Sequence, residues 1–249
     1  MSATPATLVF TVAINGYHLL YRRNIASQRA YAQRHGYHYV AVTQPIYSPL
    51  GWEVAWLKLY LARHALRSGY QQLLFVDADA EIRSSCPPLR EVLDQQHSIY
   101  AARGYSGRVN SGVLLLRRSA ASLQFLDRVI AAQGQALPSA DDVGWGENGH
   151  IIQALHRETA FRELPPSWNN NHSPLLDDYI RHYSAGPLRP LYRAPWRDRL
   201  LFNTLKTANA LYRRADRRHQ GSSAREQLQA LTRQSLQHYP RLSAPQNLR

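Results

Sequence analysis

Two aspartates, Asp77 and Asp79, follow a short apolar run in the segment LLFVDADAEI, residues 73–82. On an extended chain, residues two positions apart point to the same side, so both carboxylates can face one ligand. In open α/β sheets, ligands bind beyond the carboxyl ends of the strands, and this pair lies at such an end. Two carboxylates there suit a Mg²⁺ or Mn²⁺ ion that bridges to a diphosphate. The alternative is that the spacing arises by chance.

An alternation of strand and helix patterns predicts the frame that positions this pair. Strands are predicted at 7–14, 37–43 and 72–76, and helices at 24–36 and 52–70. This order predicts a parallel sheet with right-handed crossovers, the architecture of a nucleotide-binding half-domain.

Single residues mark the ends and faces of the two helices. Asn24 is predicted to cap the start of the first helix, and Gly36 to end it. Gly69 is predicted to end the second helix. Trp52 and Trp56 lie at helical spacing within it, which predicts that both belong to the core.

The second half of the chain contains further strand and helix patterns. Strands are predicted at 98–103, 110–118 and 177–185, and helices at 119–135 and 147–158. We therefore predict an α/β domain in which further strands extend the sheet formed by the first three.

The composition changes near residue 189. Residues 189–218 contain nine Lys or Arg side chains against two acidic ones. We predict a catalytic domain over 1–196 and a basic helical extension over 197–249. The last thirty residues or so are polar and rich in glutamine, and are predicted to be peripheral.

The chain has 249 residues and a formal net charge of +13. Such a charge is typical of proteins that bind nucleic acid, an anionic membrane or a phosphorylated substrate, but it also follows from an arginine-rich composition. Only Lys58 and Lys206 are lysines. With Cys86 as the single cysteine, no internal disulfide is possible, which predicts a reduced, cytoplasmic compartment. The sequence has no phosphate-binding P-loop, zinc cluster, nucleophile elbow, dinucleotide fingerprint or nucleic-acid recognition motif.

Several segments resemble GT-A fold glycosyltransferases, above all the galactosyl, mannosyl and xylosyltransferase group of fungi and plants and the retaining bacterial lipooligosaccharide galactosyltransferases. The resemblance covers about residues 7–190. It implies a Rossmann-like, mostly parallel mixed sheet flanked by helices. It also implies transfer of a sugar from a nucleotide sugar, with UDP expected, to a glycan or glycolipid in a bacterium. The matching segments, in chain order, are YAQRHGYHYV, LLFVDADAEI, NSGVLLLRRS, WGENGHIIQAL, LPPSWNNN and IRHYSAGP.

The resemblance implies a metal site formed by Asp77, Asp79 and His182, with Asp77 also reaching the ribose. An imidazole added to two carboxylates suits Mn²⁺ better than Mg²⁺. The alternative for His182 is an ordinary hydrogen-bonded histidine in a strand.

The donor nucleotide is expected after the first strand, at Thr11, Ala13 and Tyr17, where the resembled families hold the base. Lys58 is a candidate phosphate contact, with a solvated lysine as the alternative. Gly186 is expected near the diphosphate. The segment around it departs from the family, because Ser184 and Ala185 precede Gly186 and the usual lysine is absent.

The sugars are expected at Asn110, Glu147 and Asn148, since amides and carboxylates bind hydroxyl groups. Asn110 can instead belong to a turn, and Glu147 can be an acid favoured by the helix dipole. Asn148 replaces the glutamine usual in the family. Retention is implied, with the departing phosphate accepting the acceptor proton. An inverting enzyme would need a base, for which Glu147 and the pair at 141–142 are candidates.

The basic extension has a helical pattern that can lie on an anionic bilayer. Alternatively, its apolar face packs on the catalytic domain. Peripheral contact with the inner face of the membrane is therefore one expectation. The other class of function is a nucleic-acid-binding protein or a glycosyltransferase that modifies nucleic acid. The apolar face comprises Leu201, Leu205, Ala208, Leu211 and Ala215, and the arginines are Arg213, Arg214, Arg217 and Arg218.

Overall fold

A computed structural model describes residues 6–144, 146–216 and 223–243. In these residues, six strands form one sheet in the order β2-β1-β3-β6-β5-β7, and two short strands form a second sheet, β4-β8. The strands are β1 (Thr7–Val12), β2 (His38–Val42), β3 (Gln72–Val76), β4 (Ala80–Ile82), β5 (Ile99–Ala102), β6 (Val113–Arg117), β7 (Phe161–Leu164) and β8 (Ile180–His182). The helices are α1 (Tyr17–Leu20), α2 (Arg22–Arg34), α3 (Leu57–Ser68), α4 (Ala120–Ala131), α5 (Asn148–Leu155), α6 (Trp196–Ala215) and α7 (Ala224–His238).

The first half of the sheet is parallel, as the alternation of patterns predicts. Strand β1 pairs in parallel with both β2 and β3. Side chains of β3 alternate between two core clusters: Leu73 and Phe75 enter one, and Leu74 and Val76 the other. A strand covered on both faces explains the continuous apolar run that ends at Asp77.

The second half makes the sheet mixed. Strand β6 runs antiparallel to both β3 and β5, and β7 is parallel to β5. The predicted α/β class and the mostly parallel mixed sheet are confirmed. The late strand is short, and it pairs with β4 in a separate sheet instead of joining the main one.

The glycine stop signals hold, but the predicted asparagine cap does not. Gly36 and Gly69 follow α2 and α3 with positive φ angles of 68° and 126°, which glycine adopts without steric cost because it has no Cβ atom. Helix α2 begins at Arg22, so Asn24 lies inside the helix, where its side chain is buried. Tertiary packing has therefore extended the helix beyond the local cap signal.

The prediction that Trp52 belongs to the core is wrong, whereas Trp56 is a core residue. Trp52 is 69% exposed and Trp56 is 4% exposed. The chain forms a 3-10 helix over Trp52–Trp56 before α3 begins. With about three residues per turn, positions four apart no longer share a face, and this turns Trp52 away from the core.

The C-terminal segment is integrated into the fold, so the prediction of a peripheral tail is wrong for the residues described. Leu228 and Leu231 of α7 and the following Leu242 are buried in the main core cluster. The Tyr239 hydroxyl accepts hydrogen bonds from two backbone N–H groups in the loop after β2. Spaced leucines within a polar sequence were the signal for this packing. In the described parts of the chain, no helix is both long and apolar enough to cross a bilayer.

Candidate functional site

The chain turns sharply after β3, and several hydrogen bonds fix that turn. The Asp77 N–H donates to the Gly112 carbonyl oxygen at 2.7 Å. The buried side chain of Gln28 donates to the carbonyl oxygens of Asp77 and Ala80 at 2.9 and 2.8 Å. Ala80 then pairs with His182 in the register of β4 and β8. The small second sheet therefore brings the late histidine to the aspartates.

The three predicted metal-binding residues lie together. Ligand atoms of Asp77, Asp79 and His182 all lie within 4.8 Å of one another. The Nε2 atom of His182 is 3.1 Å from Asp79 Oδ1 and 3.7 Å from Asp77 Oδ2. Two carboxylates and one imidazole, partly enclosed at the end of a strand, form a donor set that fits a divalent ion such as Mn²⁺.

A chain of amides fixes the orientation of the His182 ring. Asn169 Nδ2 donates to the carbonyl and side-chain oxygens of Asn110 at 2.9 and 3.0 Å. Asn169 Oδ1 must therefore accept, and it lies 2.8 Å from His182 Nδ1. This assigns the proton to Nδ1 and turns Nε2 toward the aspartates, as a ligand to a metal requires.

Gly112 makes room for this cluster. A Cβ atom at that position would lie 2.1 Å from His182 Cε1 and 2.7 Å from Asp77 Oδ2. Both distances are far below van der Waals contact. The glycine of the NSG segment thus permits the close approach of side chains as well as of backbone.

Burial and neighbouring charges set the protonation of the site. Burial raises the pKa of Asp77, and Asp79 adds to this effect while Lys58 opposes it. Burial also acts to raise the pKa of Asp79, but His182 and Arg189 outweigh it and hold that pKa below its ordinary value. For His182, burial acts to lower the pKa, and the two aspartates raise it above its ordinary value. These neighbouring charges therefore favour the ionised form of the Asp79 carboxyl group.

Lys58 and Glu147 form a buried ion pair beside the cluster. Lys58 Nζ lies 2.5 Å from Glu147 Oε1, and their side chains are 6% and 3% exposed. The ammonium group also donates to the carbonyl oxygen and hydroxyl of Ser111. Burial acts to lower the pKa of Lys58, but Glu147 and Asp77 raise it above its ordinary value. The alternative of a solvated lysine is wrong, because both charged side chains are buried.

The predicted sugar contacts at Asn110 and Asn148 are largely occupied within the protein. The Asn110 side-chain oxygen accepts from the Gly112 N–H at 3.0 Å as well as from Asn169. Asn148 accepts from the Ser111 N–H and donates to the Val109 carbonyl oxygen. Asn148 thereby holds the loop that carries Asn110.

A cleft of about 420 Å³ lies next to the aspartates. Tyr17, Trp52 and both aspartates line it, whereas Thr11 and Ala13 are buried and do not line it. Side chains alternate in direction along an extended chain, so Val12 and Ile14 face the cleft while Thr11 and Ala13 face away from it. Its other wall comes from α6, through Phe202, Lys206, Asn209 and Arg213.

Arg189 adds a cation to the site from the late loop. Its Nη1 atom lies 3.1 Å from Asp79 Oδ2, and the guanidinium group lies over the Tyr21 ring at 5.7 Å. Gly186 accepts the Arg189 N–H through its carbonyl oxygen and packs beside the Tyr105 ring. An arginine therefore stands near the place where the resemblance implied a lysine.

The other acidic candidates are held by loop contacts. Asp141 pairs with His156 at 2.8 Å, and Asp142 accepts the Gly144 N–H at 2.7 Å. Trp145 of the WGENGH segment lies outside the described residues.

No family model and no curated protein matches this sequence. Among solved structures, a glycosyltransferase involved in glycosylation of the major capsid of PBCV-1 matches with a TM-score of 0.58 and 12% identity. The match covers 73% of this chain and 95% of that one. The chain has the GT-A fold. At this identity the likeness establishes the fold alone.

Two further solved structures match at lower TM-scores. The apo form of the glycosyltransferase GlyE of Streptococcus pneumoniae TIGR4 has a TM-score of 0.48 and 14% identity, over 94% of this chain and 64% of its own. The galactosyltransferase LgtC, in complex with donor and acceptor sugar analogs, has a TM-score of 0.47 and 14% identity, over 81% of this chain and 95% of its own.

Proposed function

We propose that this protein is a metal-dependent glycosyltransferase that uses a nucleotide-diphosphate sugar, with UDP-sugar as the donor. The observation that carries the proposal is the cluster of Asp77, Asp79 and His182 in a cleft at the end of β3. The same cluster with no cleft beside it would fit a structural ion site. The fold, shared with a glycosyltransferase, supports the proposal.

A Mn²⁺ or Mg²⁺ ion held by these three residues would act as a Lewis acid that neutralises the leaving diphosphate. Asn169 keeps His182 Nε2 directed at the aspartates, and Arg189 supplies a fixed positive charge 3.1 Å from Asp79. Exposed rings of Tyr17 and Trp52 offer surfaces on which the nucleobase or a sugar can stack.

We assign retention of configuration to the transfer. Among the described residues that line the cleft, the carboxylates are Asp77 and Asp79, both in the proposed metal site. Glu147 is buried against Lys58, and Asp141 is paired with His156. An inverting mechanism needs a free carboxylate base beside the acceptor. The departing phosphate can instead take the acceptor proton.

We further propose that a glycan or glycolipid is the acceptor and that α6 contacts the cytoplasmic face of the membrane. The outward side of α6 exposes Trp196, Leu200, Leu201 and Leu211. Leu205, predicted to share this face, instead packs beside Gly16. Arg214 lies near its end, whereas Arg213 lines the cleft, and Arg217 and Arg218 lie outside the described residues. Exposed leucines beside arginines are typical of helices that bind anionic bilayers.

Co-sedimentation with liposomes tests the membrane contact. The parent protein is expected to bind vesicles that contain anionic lipid and to bind neutral vesicles less, because both apolar burial and charge contribute. The double variant Leu201→Ser, Leu211→Ser should bind less to both. Negligible binding of the parent to either vesicle would favour a soluble acceptor.

The nucleic-acid alternative is supported only by the overall positive charge. Salt-sensitive retention of the protein on immobilised DNA would favour that alternative.

A screen of nucleotide sugars tests the activity itself. Nucleoside diphosphate release is measured with Mn²⁺, with Mg²⁺ and with excess EDTA. We expect release from at least one donor with a divalent ion and loss of release in EDTA. Full activity in excess EDTA would refute the metal-dependent mechanism, and no release from any donor would refute the glycosyltransferase.

A further inference from the structure

Helix α6 forms a wall of the cleft that contains the aspartates. Phe202, Lys206, Asn209 and Arg213 line the cleft and recur at intervals of four, three and four residues, which places them on one side of the helix. This side differs from the outward apolar side that exposes Leu200, Leu201 and Leu211. The two sides of α6 therefore have separate roles.

Contacts along this side hold α6 in place. The Phe202 ring packs edge-on against Tyr17 at 5.2 Å between ring centroids. Asn209 Nδ2 donates to the Ile46 carbonyl oxygen at 2.8 Å. Gly16 has a positive φ of 87°, and a Cβ there would lie 2.6 Å from Leu205 Cδ2. Lys206 and Arg213 are thus presented to the cleft by an anchored helix.

The two cations on this wall, Lys206 and Arg213, differ from the other cations of the site in their charge partners. In the portions of the chain that the structure describes, neither Lys206 nor Arg213 forms an ion pair. By contrast, Lys58 is paired with Glu147, and Arg189 with Asp79. Unpaired positive charges in a cleft attract an anionic ligand and hold it by charge-assisted hydrogen bonds.

We propose that Lys206 and Arg213 bind the nucleotide-sugar donor and that α6 is part of the donor site. This inference rests on the proposed function. With a divalent ion on Asp77 and Asp79, the cleft carries an excess of positive charge that matches an anion such as a nucleoside diphosphate. Seven residues correspond to about 10 Å along a helix, so the two cations reach different parts of an elongated ligand.

Titration of the intact protein with UDP in the presence of Mn²⁺ tests this inference. Lys206→Gln and Arg213→Gln are each expected to weaken UDP binding at least about tenfold, the loss typical of a hydrogen bond to a charged group. Because the positions contact different parts of the ligand, their effects should add in the double variant. Lys206→Arg keeps the charge and should stay within about threefold of the parent.

Arg199→Gln serves as the control on the same helix, since Arg199 does not line the cleft. It should bind UDP like the parent. Parental UDP affinity in both Lys206→Gln and Arg213→Gln would overturn the role of α6 while leaving the glycosyltransferase intact. Failure of the parent to bind UDP or any other nucleoside diphosphate, and to release one from any donor, would instead refute the proposed function and this inference with it.

Discussion

Replacing Lys58 by methionine should destabilise the protein by about 3–5 kcal/mol, the usual cost of breaking a buried ion pair. The pair between Lys58 and Glu147 is 2.5 Å long, and both side chains are almost fully enclosed. Methionine keeps most of the volume but leaves the Glu147 carboxylate in a buried position without its cation. Since domains are stable by only about 5–15 kcal/mol, this change removes a large share of the total.

Urea unfolding measures the loss as a change in the free energy of unfolding. Arg67→Met is the matched control, because Arg67 also lies on α3 and pairs with Asp127 in solvent, at side-chain exposures of 55% and 42%. Exposed pairs contribute about 0–1 kcal/mol. If Lys58→Met and Arg67→Met differ by less than about 1 kcal/mol, the buried-pair reasoning is wrong.

The pH dependence follows from the raised pKa of Lys58. A base with a raised pKa in the folded state stabilises the fold below its ordinary pKa and loses that effect as pH rises through the folded value. The loss of unfolding free energy in Lys58→Met should therefore be equal at pH 7 and pH 9.

Glu147→Gln should also destabilise the fold. Parental stability with lost turnover would support the catalytic role predicted for Glu147.

Three other predictions concern the site and its surroundings. Gly112→Ala should lower the affinity for a divalent ion about 10–100-fold, because displacing residues that support metal ligands typically costs that much. Circular dichroism should show unchanged secondary structure, and parental metal binding would contradict the crowding at His182. Burial raises the pKa of the Cys86 thiol to about 12, so iodoacetamide at pH 8 should label Cys86 in urea but not in the native protein, and rapid native labelling would contradict its burial. Trp56→Ala should lower the free energy of unfolding by about 3–5 kcal/mol, because Trp56 is buried. Trp52→Ala should lower it by under about 1 kcal/mol but reduce turnover with the donor or the acceptor. Equal losses of stability would contradict the assignment of Trp56 to the core and Trp52 to the cleft.

Local patterns predicted the parallel half of the sheet because each strand and helix carries its own periodicity. The aspartate pair was visible for the same reason, as it directly follows the apolar run of β3. Its partner His182 could not be derived from spacing, because the register of β4 with β8 brings it there across about a hundred residues. Only the resemblance to a family supplied it.

Other contributors to the site had weak or misleading signals. Trp52 carried a helical spacing that indicates core, and the change from 3-10 to α geometry reversed its direction. Asn169 lies in a run of three asparagines, and nothing local distinguishes the one that orients His182. Arg189 reaches Asp79 and Tyr21, and the cleft-lining side of α6 packs against α1 and the loop after β2. These are long-range contacts that no local pattern encodes.

Divalent-ion-dependent release of nucleoside diphosphate by Asp79→Ala tests the central claim most directly. The control is Glu81→Ala, two residues further along, where the carboxylate contacts Arg83 and Tyr183 instead of the cluster. We predict that Asp79→Ala folds like the parent and loses release with every donor that the parent uses, while Glu81→Ala keeps it. Near-parental release by Asp79→Ala in Mn²⁺ would contradict the account.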